Sequence, residues 1–279
     1  MTCPRIIYHY CSVKSLFNII NSREIWLSNS MQMNDFTETT WINSLIQNKL
    51  IALADSKYRE FAEKVVDIYN INNSIPYIAC FSADGDILSQ WRTYSEDATG
   101  VAFGISTDKI GIKEQLPVTA ASTDLTMGLY RVIYDPKEQA TTVDDIFASW
   151  IRKIDLKLVD ISGASLECAG ALKRLSLVFK NPSFSEEMEW RIIHTPLVLL
   201  DKQNNVELHG NISDINIRPN GVSLISYFKL SLRDIFDTEL LPEIYLGPKC
   251  KIDEYDLSIF LSKSGLNHSR VKKSKATYR

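Results

Sequence analysis

Tyrosine and histidine alternate near the start of the chain, in the run Tyr8-His9-Tyr10, and a hydroxyl group follows at Ser12. The β-branched residues just before this run favour a strand, in which Tyr8 and Tyr10 face one side and His9 the other. A single histidine in a strand is usually packed or solvated. His9 is nevertheless a candidate for ligand binding, because the hydroxyl of Ser12 follows where the strand ends and a helix begins.

A second group of candidates consists of the charged residues Glu187, Glu189 and Arg191. The period-two alternation of a strand places all three on one face, with Met188 and Trp190 on the other face toward the core. Three charges on a strand face are commonly a solvated surface. Two carboxylates in line with a guanidinium would also suit a cleft that binds a cationic ligand with hydroxyl groups.

A third group combines Ser82, which ends an apolar run, with Trp91 and Tyr94 farther along the chain. The three-residue spacing puts Trp91 and Tyr94 on the same face of a helix. Core packing explains such a pair equally well. An aromatic ring that faces a cleft would instead stack on a flat cationic ligand, with a gain of about 0.5–2 kcal/mol.

The elements that must position these residues are short and irregularly ordered. Apolar periodicity predicts a helix after Ser12, two helices between Thr39 and Tyr69 and a helical region from Asp144 to Leu177 that is weakest at Gly163 and Gly170. It predicts strands at residues 5–10, 25–27, 77–82, 100–105, 129–134, 187–194, 227–232, 244–246 and 270–278, and a helix at 253–264. This interleaving predicts a single α+β domain over residues 1–279.

Composition and charge narrow the classes of function. The chain is 45% hydrophobic with a net charge of −3, which suits a globular core and disfavours general binding to phosphate backbones. The five cysteines and four histidines are scattered, so we expect neither a disulfide framework nor a metal site. The sequence shows no signal peptide and no apolar run long enough to span a membrane. These features predict a cytoplasmic protein without a membrane partner.

In this order, the motifs together resemble the bacterial domain-of-unknown-function family 2971. The resemblance covers nearly the whole chain. It is carried by Tyr8-His9-Tyr10-Cys11-Ser12, Ile25-Trp26-Leu27-Ser28, Met33-Asn34-Asp35, Cys80-Phe81-Ser82, Trp91-x-x-Tyr94, Gly100-Val101-Ala102-Phe103-Gly104, Phe184-x-x-Glu187-x-Glu189-Trp190-Arg191, Ile244 to Cys250 and the closing Tyr278-Arg279.

That family is in turn similar to the ADP-ribosyltransferase fold, particularly to its DNA-modifying toxin branch with a Tyr-His-x-Thr opening. The resemblance implies mixed or antiparallel sheets with flanking helices, and NAD as a substrate without a metal. It assigns His9, assisted by Ser12, to the adenine-side ribose, and Glu189 or Glu187 to the nicotinamide-side ribose. The ring that stacks on nicotinamide would be Tyr94, Trp91 or Tyr10. Further residues of the implied NAD site are Tyr8, Ser82 and Arg191.

The resemblance therefore implies an enzyme that cleaves NAD and transfers ADP-ribose to a macromolecule, either a protein or a nucleic acid. Such an enzyme would act as a toxin or an anti-phage effector, and a neutralising partner protein would accompany it. Three other hypotheses stay open: an NAD glycohydrolase with water as acceptor, a non-catalytic ligand-binding module of the same fold, and a nuclease. The nuclease is disfavoured because neither an acidic metal site nor a broad basic surface is evident.

Overall fold

Strands are spread over the whole length of the computed structural model, which describes residues 2–32, 41–71 and 75–278. In chain order they are β1 (Ile6–Cys11), β2 (Glu24–Asn29), β3 (Tyr77–Ser82), β4 (Val101–Ser106), β5 (Met127–Arg131), β6 (Glu189–His194), β7 (Leu197–Leu200), β8 (Val206–His209), β9 (Asn216–Asn220), β10 (Ser223–Ser231), β11 (Glu243–Leu246) and β12 (Arg270–Lys273). The motif Met33-Asn34-Asp35, the predicted helix start at Thr39 and the terminal Arg279 lie outside the described residues.

Helices connect these strands and confirm the predicted α+β class. They are α1 (Val13–Ser22), α2 (Asn43–Ala54), α3 (Arg59–Ile71), α4 (Leu88–Tyr94), α5 (Thr107–Ile110), α6 (Thr123–Thr126), α7 (Pro136–Asp155), α8 (Ile161–Leu175) and α9 (Glu254–Lys263). Side chains fix several starts: Ser12 caps α1 and Asp253 caps α9, each accepting a backbone N–H. Every helix among the described residues is too short or too polar to cross a bilayer.

The helical region predicted from Asp144 to Leu177 is two helices, α7 and α8, and its break does not lie at a glycine. The chain turns at residues 156–160, where Lys157 has a φ of 55°. The Asp160 side chain then accepts the N–H of Gly163 and starts α8. Gly170 lies within that helix. The prediction of weak points at the glycines is therefore wrong, because the cap at Asp160 determines where α8 begins.

The sheet branches at β3. Its main strand order is β12-β11-β4-β1-β3-β2-β10-β9, while β6 pairs with the whole length of β3 and β5 pairs with β6. On the other edge of β3, Ser82 is paired with Tyr8 of β1, whereas Tyr77 and Ile78 are paired with β2. The β11–β12 pair is parallel and the remaining pairs of this sheet are antiparallel, so the sheet is mixed, as predicted. Strands β7 and β8 form a separate hairpin.

The two faces of this sheet carry different residues. Strand register places Ser82 and Glu189 on the face of Tyr8, because Tyr8 pairs with Ser82 and Ser82 with Glu189. We call this the tyrosine face and its opposite the histidine face, after His9. The histidine face packs under α1 and α9 in one apolar core, whereas α2, α3, α7 and α8 cover part of the tyrosine face.

A C-terminal segment, Ser274 to Tyr278, fixes α4 against the tyrosine face, and we call it the C-terminal strap. One carboxylate joins the two. Asp86 Oδ1 accepts from Trp91 Nε1 at 2.8 Å and from the Ser274 hydroxyl, and its Oδ2 accepts from the backbone N–H of Lys275 at 2.7 Å. The strap therefore determines how the helix that bears Trp91 and Tyr94 is seated.

We expect Asp86→Ala to lower the free energy of unfolding by about 2–3 kcal/mol, because the buried Trp91 N–H loses its acceptor and the strap loses two bonds. Urea unfolding followed by tryptophan fluorescence measures this change. Asp67→Ala, an exposed position on α3, is the control, with an effect within about 0.5 kcal/mol. Equal effects at the two positions would contradict a bridging role for Asp86.

Candidate functional site

The chain makes a sharp turn between Glu187 and Glu189. Glu187 ends a 3-10 helix, Pro182–Glu187, and Met188 adopts a left-handed conformation with φ 44° and ψ 47°. The prediction of a strand over residues 187–194 is therefore wrong at its first two residues. The reason is local: Asn181 caps the 3-10 helix, Pro182 favours its start, and strand β6 begins only at Glu189.

This turn nevertheless brings the two carboxylates together. Lys180 Nζ lies 2.7 Å from Glu187 Oε2 and 3.1 Å from Glu189 Oε2. The guanidinium of Arg191 donates to both oxygens of Glu189, at 2.8 and 3.0 Å. We call these four residues the carboxylate cluster. The predicted placement of Glu189 and Arg191 on one strand face is confirmed, and Glu187 joins them from the turn.

Burial makes this cluster unusual for charged side chains. The exposed fractions are 3% for Lys180, 9% for Glu187, 6% for Glu189 and 1% for Arg191. Burial alone would raise the pKa of Glu189, but the charges of Arg191 and Lys180 outweigh it and lower the pKa to about 2. Glu189 is therefore an anion at neutral pH and is suited to electrostatic stabilisation of positive charge, not to donating a proton.

Two residues of the site, Lys180 and Tyr134, were not found from the sequence. Lys180 follows three apolar residues, Leu177 to Phe179, and a buried lysine at the end of such a run was the available signal. The phenol oxygen of Tyr134 accepts the backbone N–H of Glu189 at 3.3 Å. Only the fold places Tyr134 there, since it lies 55 residues before Glu189.

Of the three aromatic candidates for stacking, Tyr94 has the accessible ring. Tyr94 is 38% exposed, and burial followed by the charge of Glu187 raises its pKa. Trp91 is fully buried and meets Tyr10 edge-on, with 4.8 Å between ring centroids. The predicted helical face thus carries one ring toward Glu187 and another into the core.

The N-terminal motif is divided between the two faces of the sheet. On the tyrosine face, the Tyr8 hydroxyl donates to Glu243 at 2.5 Å and the Tyr10 hydroxyl donates to the Asp84 carbonyl at 2.9 Å. On the histidine face, His9 lies between two phenylalanine rings, and its Nδ1 lies 2.9 Å from the carbonyl of Cys80. The structure therefore does not bring His9 together with the carboxylate cluster.

Two predicted hydroxyl ligands have structural partners. The Ser12 side chain accepts the backbone N–H of Ser15 at 3.0 Å and caps α1. The Ser82 hydroxyl donates to the carbonyl of Glu187 at 2.8 Å and accepts the N–H of Asp84. Ser82 thus supports the turn that carries the carboxylates, whereas Ser12 lies at the far end of β1.

One protein family matches the part of the chain that contains the carboxylate cluster. Residues 90–192 match a family described as Protein of unknown function (DUF2971). The match supports the resemblance to this family and includes Tyr94, Tyr134 and all four cluster residues, but not Tyr8 to Ser12. No curated protein and no solved structure matched the chain.

The matched segment, residues 90–192, contains a site that would favour a positively charged group. Two carboxylates share a lysine, and the rings of Tyr94 and Phe184 are partly exposed next to them. Lys180 Nζ lies 5.0 Å from the centroid of the Phe184 ring. A cationic or hydroxyl-bearing group that reached Glu187 would meet an anion beside an aromatic surface, which is a favourable environment for such a group.

Proposed function

We propose that the protein is an NAD-dependent ADP-ribosyltransferase that acts in the cytoplasm on a protein or nucleic-acid acceptor, as a toxin or an anti-phage effector with a neutralising partner. The observation that carries the proposal is the pair of buried carboxylates at Glu187 and Glu189, with the partly exposed Tyr94 on α4, which contacts the 3-10 helix that ends at Glu187. The resemblance to the ADP-ribosyltransferase fold gives this pair its assigned reaction.

The chemistry of the reaction agrees with these groups. Cleavage of the bond between nicotinamide and ribose develops positive charge on the sugar, as in glycoside hydrolysis. A carboxylate that is already ionised stabilises this charge more in the transition state than in the ground state, which raises the rate. Bound nicotinamide is cationic, so an aromatic ring such as that of Tyr94 holds it before cleavage.

Within the pair we assign the contact with the ribose to Glu187. Both oxygens of Glu189 accept from Arg191, and one of them also contacts Lys180. Glu187 raises the pKa of Tyr94 more than Glu189 does, which agrees with a position nearer to that ring. In this assignment Glu189 positions Lys180 and Arg191, while Glu187 and Tyr94 meet the nicotinamide side of NAD.

A second candidate function is a non-catalytic ligand-binding module. Its supporting observation is that each carboxylate of the cluster is already paired with a cation at 3.1 Å or less. Such a cluster can serve to specify one packing arrangement without taking part in chemistry. A plain NAD glycohydrolase, with water as acceptor, would use the same site as the transferase.

The test is nicotinamide release from NAD, measured by chromatography with cell extract present as a source of acceptors. We expect release by the wild type and a loss of about 100-fold or more in Glu187→Gln/Glu189→Gln, because the stabilising charge is removed. Glu186→Gln, an exposed carboxylate in the same 3-10 helix, is the matched control and should keep full activity.

A charge-balanced variant separates catalysis from folding. Glu187→Gln/Lys180→Met removes one charge of each sign and leaves the Glu189–Arg191 pair in place. If this variant keeps its far-ultraviolet circular dichroism and loses release, the Glu187–Lys180 pair acts in the reaction. Undiminished release by a folded variant would refute the assignment. Absence of both release and NAD binding in the wild type would favour the binding module.

A further inference from the structure

One cavity adjoins the carboxylate cluster through Leu177, whose carbonyl accepts from Arg191, but it is lined by other residues. It has a volume of about 840 Å³ and is bounded by α8, by residues 117–119, and by residues 30–31 and 75–76. Sites for small molecules usually measure about 300–1,000 Å³. None of the four cluster residues lines this cavity. A molecule bound here would therefore occupy a separate site.

Two cations, Lys173 and Arg174, give one wall of the cavity a positive character. Both lie in the last turn of α8 and are partly buried. Among the described residues, no carboxylate lies within 4.0 Å of either side chain. Burial lowers the pKa of Lys173 and of Arg174, and the charge of Glu167, which also lines the cavity, opposes this shift for Arg174 without forming an ion pair with it.

Two buried hydroxyl groups in the cavity wall lack a hydrogen-bond partner. They are Ser30 Oγ and Thr195 Oγ1, in side chains that are 8% and 6% exposed. Their backbones are held, since the N–H of Ser30 donates to Pro76 and that of Thr195 donates to Thr126. Both oxygens expose almost no surface in the free protein, and buried polar groups are nearly always hydrogen-bonded, so rotation of either side chain toward a polar ligand in the cavity would supply the missing partner.

The rest of the lining suits an apolar or aromatic body. Lys173 Nζ lies 5.0 Å from the centroid of the Tyr69 ring, which also lines the cavity. Apolar lining residues include Ile75, Pro76, Pro117, Val118 and Leu177. An inorganic anion alone would leave these surfaces uncovered, whereas an uncharged ring would leave both cations without a partner.

We propose that this cavity binds a small organic anion, with one phosphate or carboxylate group at Lys173 and Arg174 and a ring-sized apolar body against the Tyr69 wall. The hydroxyls of Ser30 and Thr195 supply hydrogen bonds to the same molecule. The proposal does not depend on the reaction assigned to the carboxylate cluster, and its test is a binding measurement that needs no turnover.

The experiment is isothermal titration calorimetry on the full chain with phenyl phosphate and with benzoate, which distinguish phosphate from carboxylate. Benzyl alcohol supplies a ring without a charge, and inorganic phosphate supplies a charge without a ring. We expect at least one aryl anion to bind about tenfold or more tightly than either control ligand, since each lacks one half of the recognised chemistry.

Variants locate the binding. Lys173→Gln/Arg174→Gln should weaken the aryl anion about tenfold or more, whereas Arg152→Gln/Lys153→Gln, the same change in the last turn of α7, should not. Thr195→Val should weaken binding without lowering the melting temperature, because its hydroxyl has no partner in the free protein. Absence of binding by both aryl anions, or equal affinity in the two paired variants, would overturn the proposal.

Discussion

Replacing Arg191 with methionine is expected to lower the free energy of unfolding by about 3–5 kcal/mol, the usual cost of removing one partner from a buried ion pair. Arg191 is 1% exposed and donates to both oxygens of Glu189. Its third contact, from Nη1 to the carbonyl of Leu177 at 2.6 Å, joins β6 to the segment that follows α8. Methionine fills similar volume but supplies none of these donors, so Glu189 stays buried with less compensation. Urea unfolding measures the loss.

Arg131→Met is the matched control for this substitution. Arg131 lies on the neighbouring strand β5 and pairs with Glu138, with exposed side-chain fractions of 23% and 39%. Partly exposed pairs contribute little, so we expect a loss of about 1 kcal/mol or less. A double variant, Arg191→Met/Glu189→Gln, removes both charges and should recover about 1–2 kcal/mol relative to the sum of the single losses. Equal losses at Arg191 and Arg131 would show that the buried pair does not stabilise the fold.

The sequence predicted those strands whose apolar pattern is local. The run Tyr77–Ser82 was predicted with the bounds that the structure gives, because β-branched and aromatic residues fill it and a turn-rich segment follows. No strand was predicted between His194 and Tyr227, yet β7, β8 and β9 lie there, and Pro219 belongs to β9. Strand β9 ends the main strand order, where a residue without an N–H is tolerated.

The site was only partly predictable because its geometry depends on a turn. Alternation correctly placed Glu189 and Arg191 on one face, since both belong to β6. The same rule placed Glu187 on that strand, whereas the left-handed Met188 interrupts the alternation before β6 begins. The two carboxylates still lie close together because both contact Lys180. No periodic pattern in the sequence relates Lys180 to them.

The positions of Tyr8 and His9 are determined by different features of the fold. Tyr8 shares a face with Glu189 only because β3 lies between β1 and β6, an order that the chain does not reveal. The opposite placement of His9 follows from alternation within β1 and was predicted. What alternation could not show is that the carboxylates lie on the tyrosine face.

Acid is expected to destabilise the protein in two steps, the first of which involves His194. This side chain is fully buried, its Nδ1 lies 3.2 Å from the carbonyl of Thr126, and its ring meets Phe228 edge-on. Burial lowers its pKa from 6.5 to about 4. The unfolded chain therefore takes up a proton at a higher pH than the folded protein does. The corresponding stability is complete above pH 6.5 and is lost as the pH falls toward 4, by about 3 kcal/mol.

Glu189 produces the second step at lower pH. Its pKa is about 2 in the folded protein against an ordinary 4.5, so its contribution is present above pH 4.5 and is lost between pH 4.5 and 2. Because the two windows differ, the variant His194→Gln should flatten the curve of unfolding free energy between pH 6.5 and 4 while leaving the lower step. Urea unfolding at a series of pH values measures both.

His268→Gln, at an exposed position on the surface, is the matched control. The test compares the slopes of the curves of unfolding free energy against pH, and not the absolute free energies. A packing defect introduced by His194→Gln would shift the whole curve but would not change its slope. Burial also lowers the pKa of His9, which leaves a slope of the same sign in the His194 variant. If the slope between pH 6.5 and 4 is the same with and without His194, that histidine is not held neutral in the folded core.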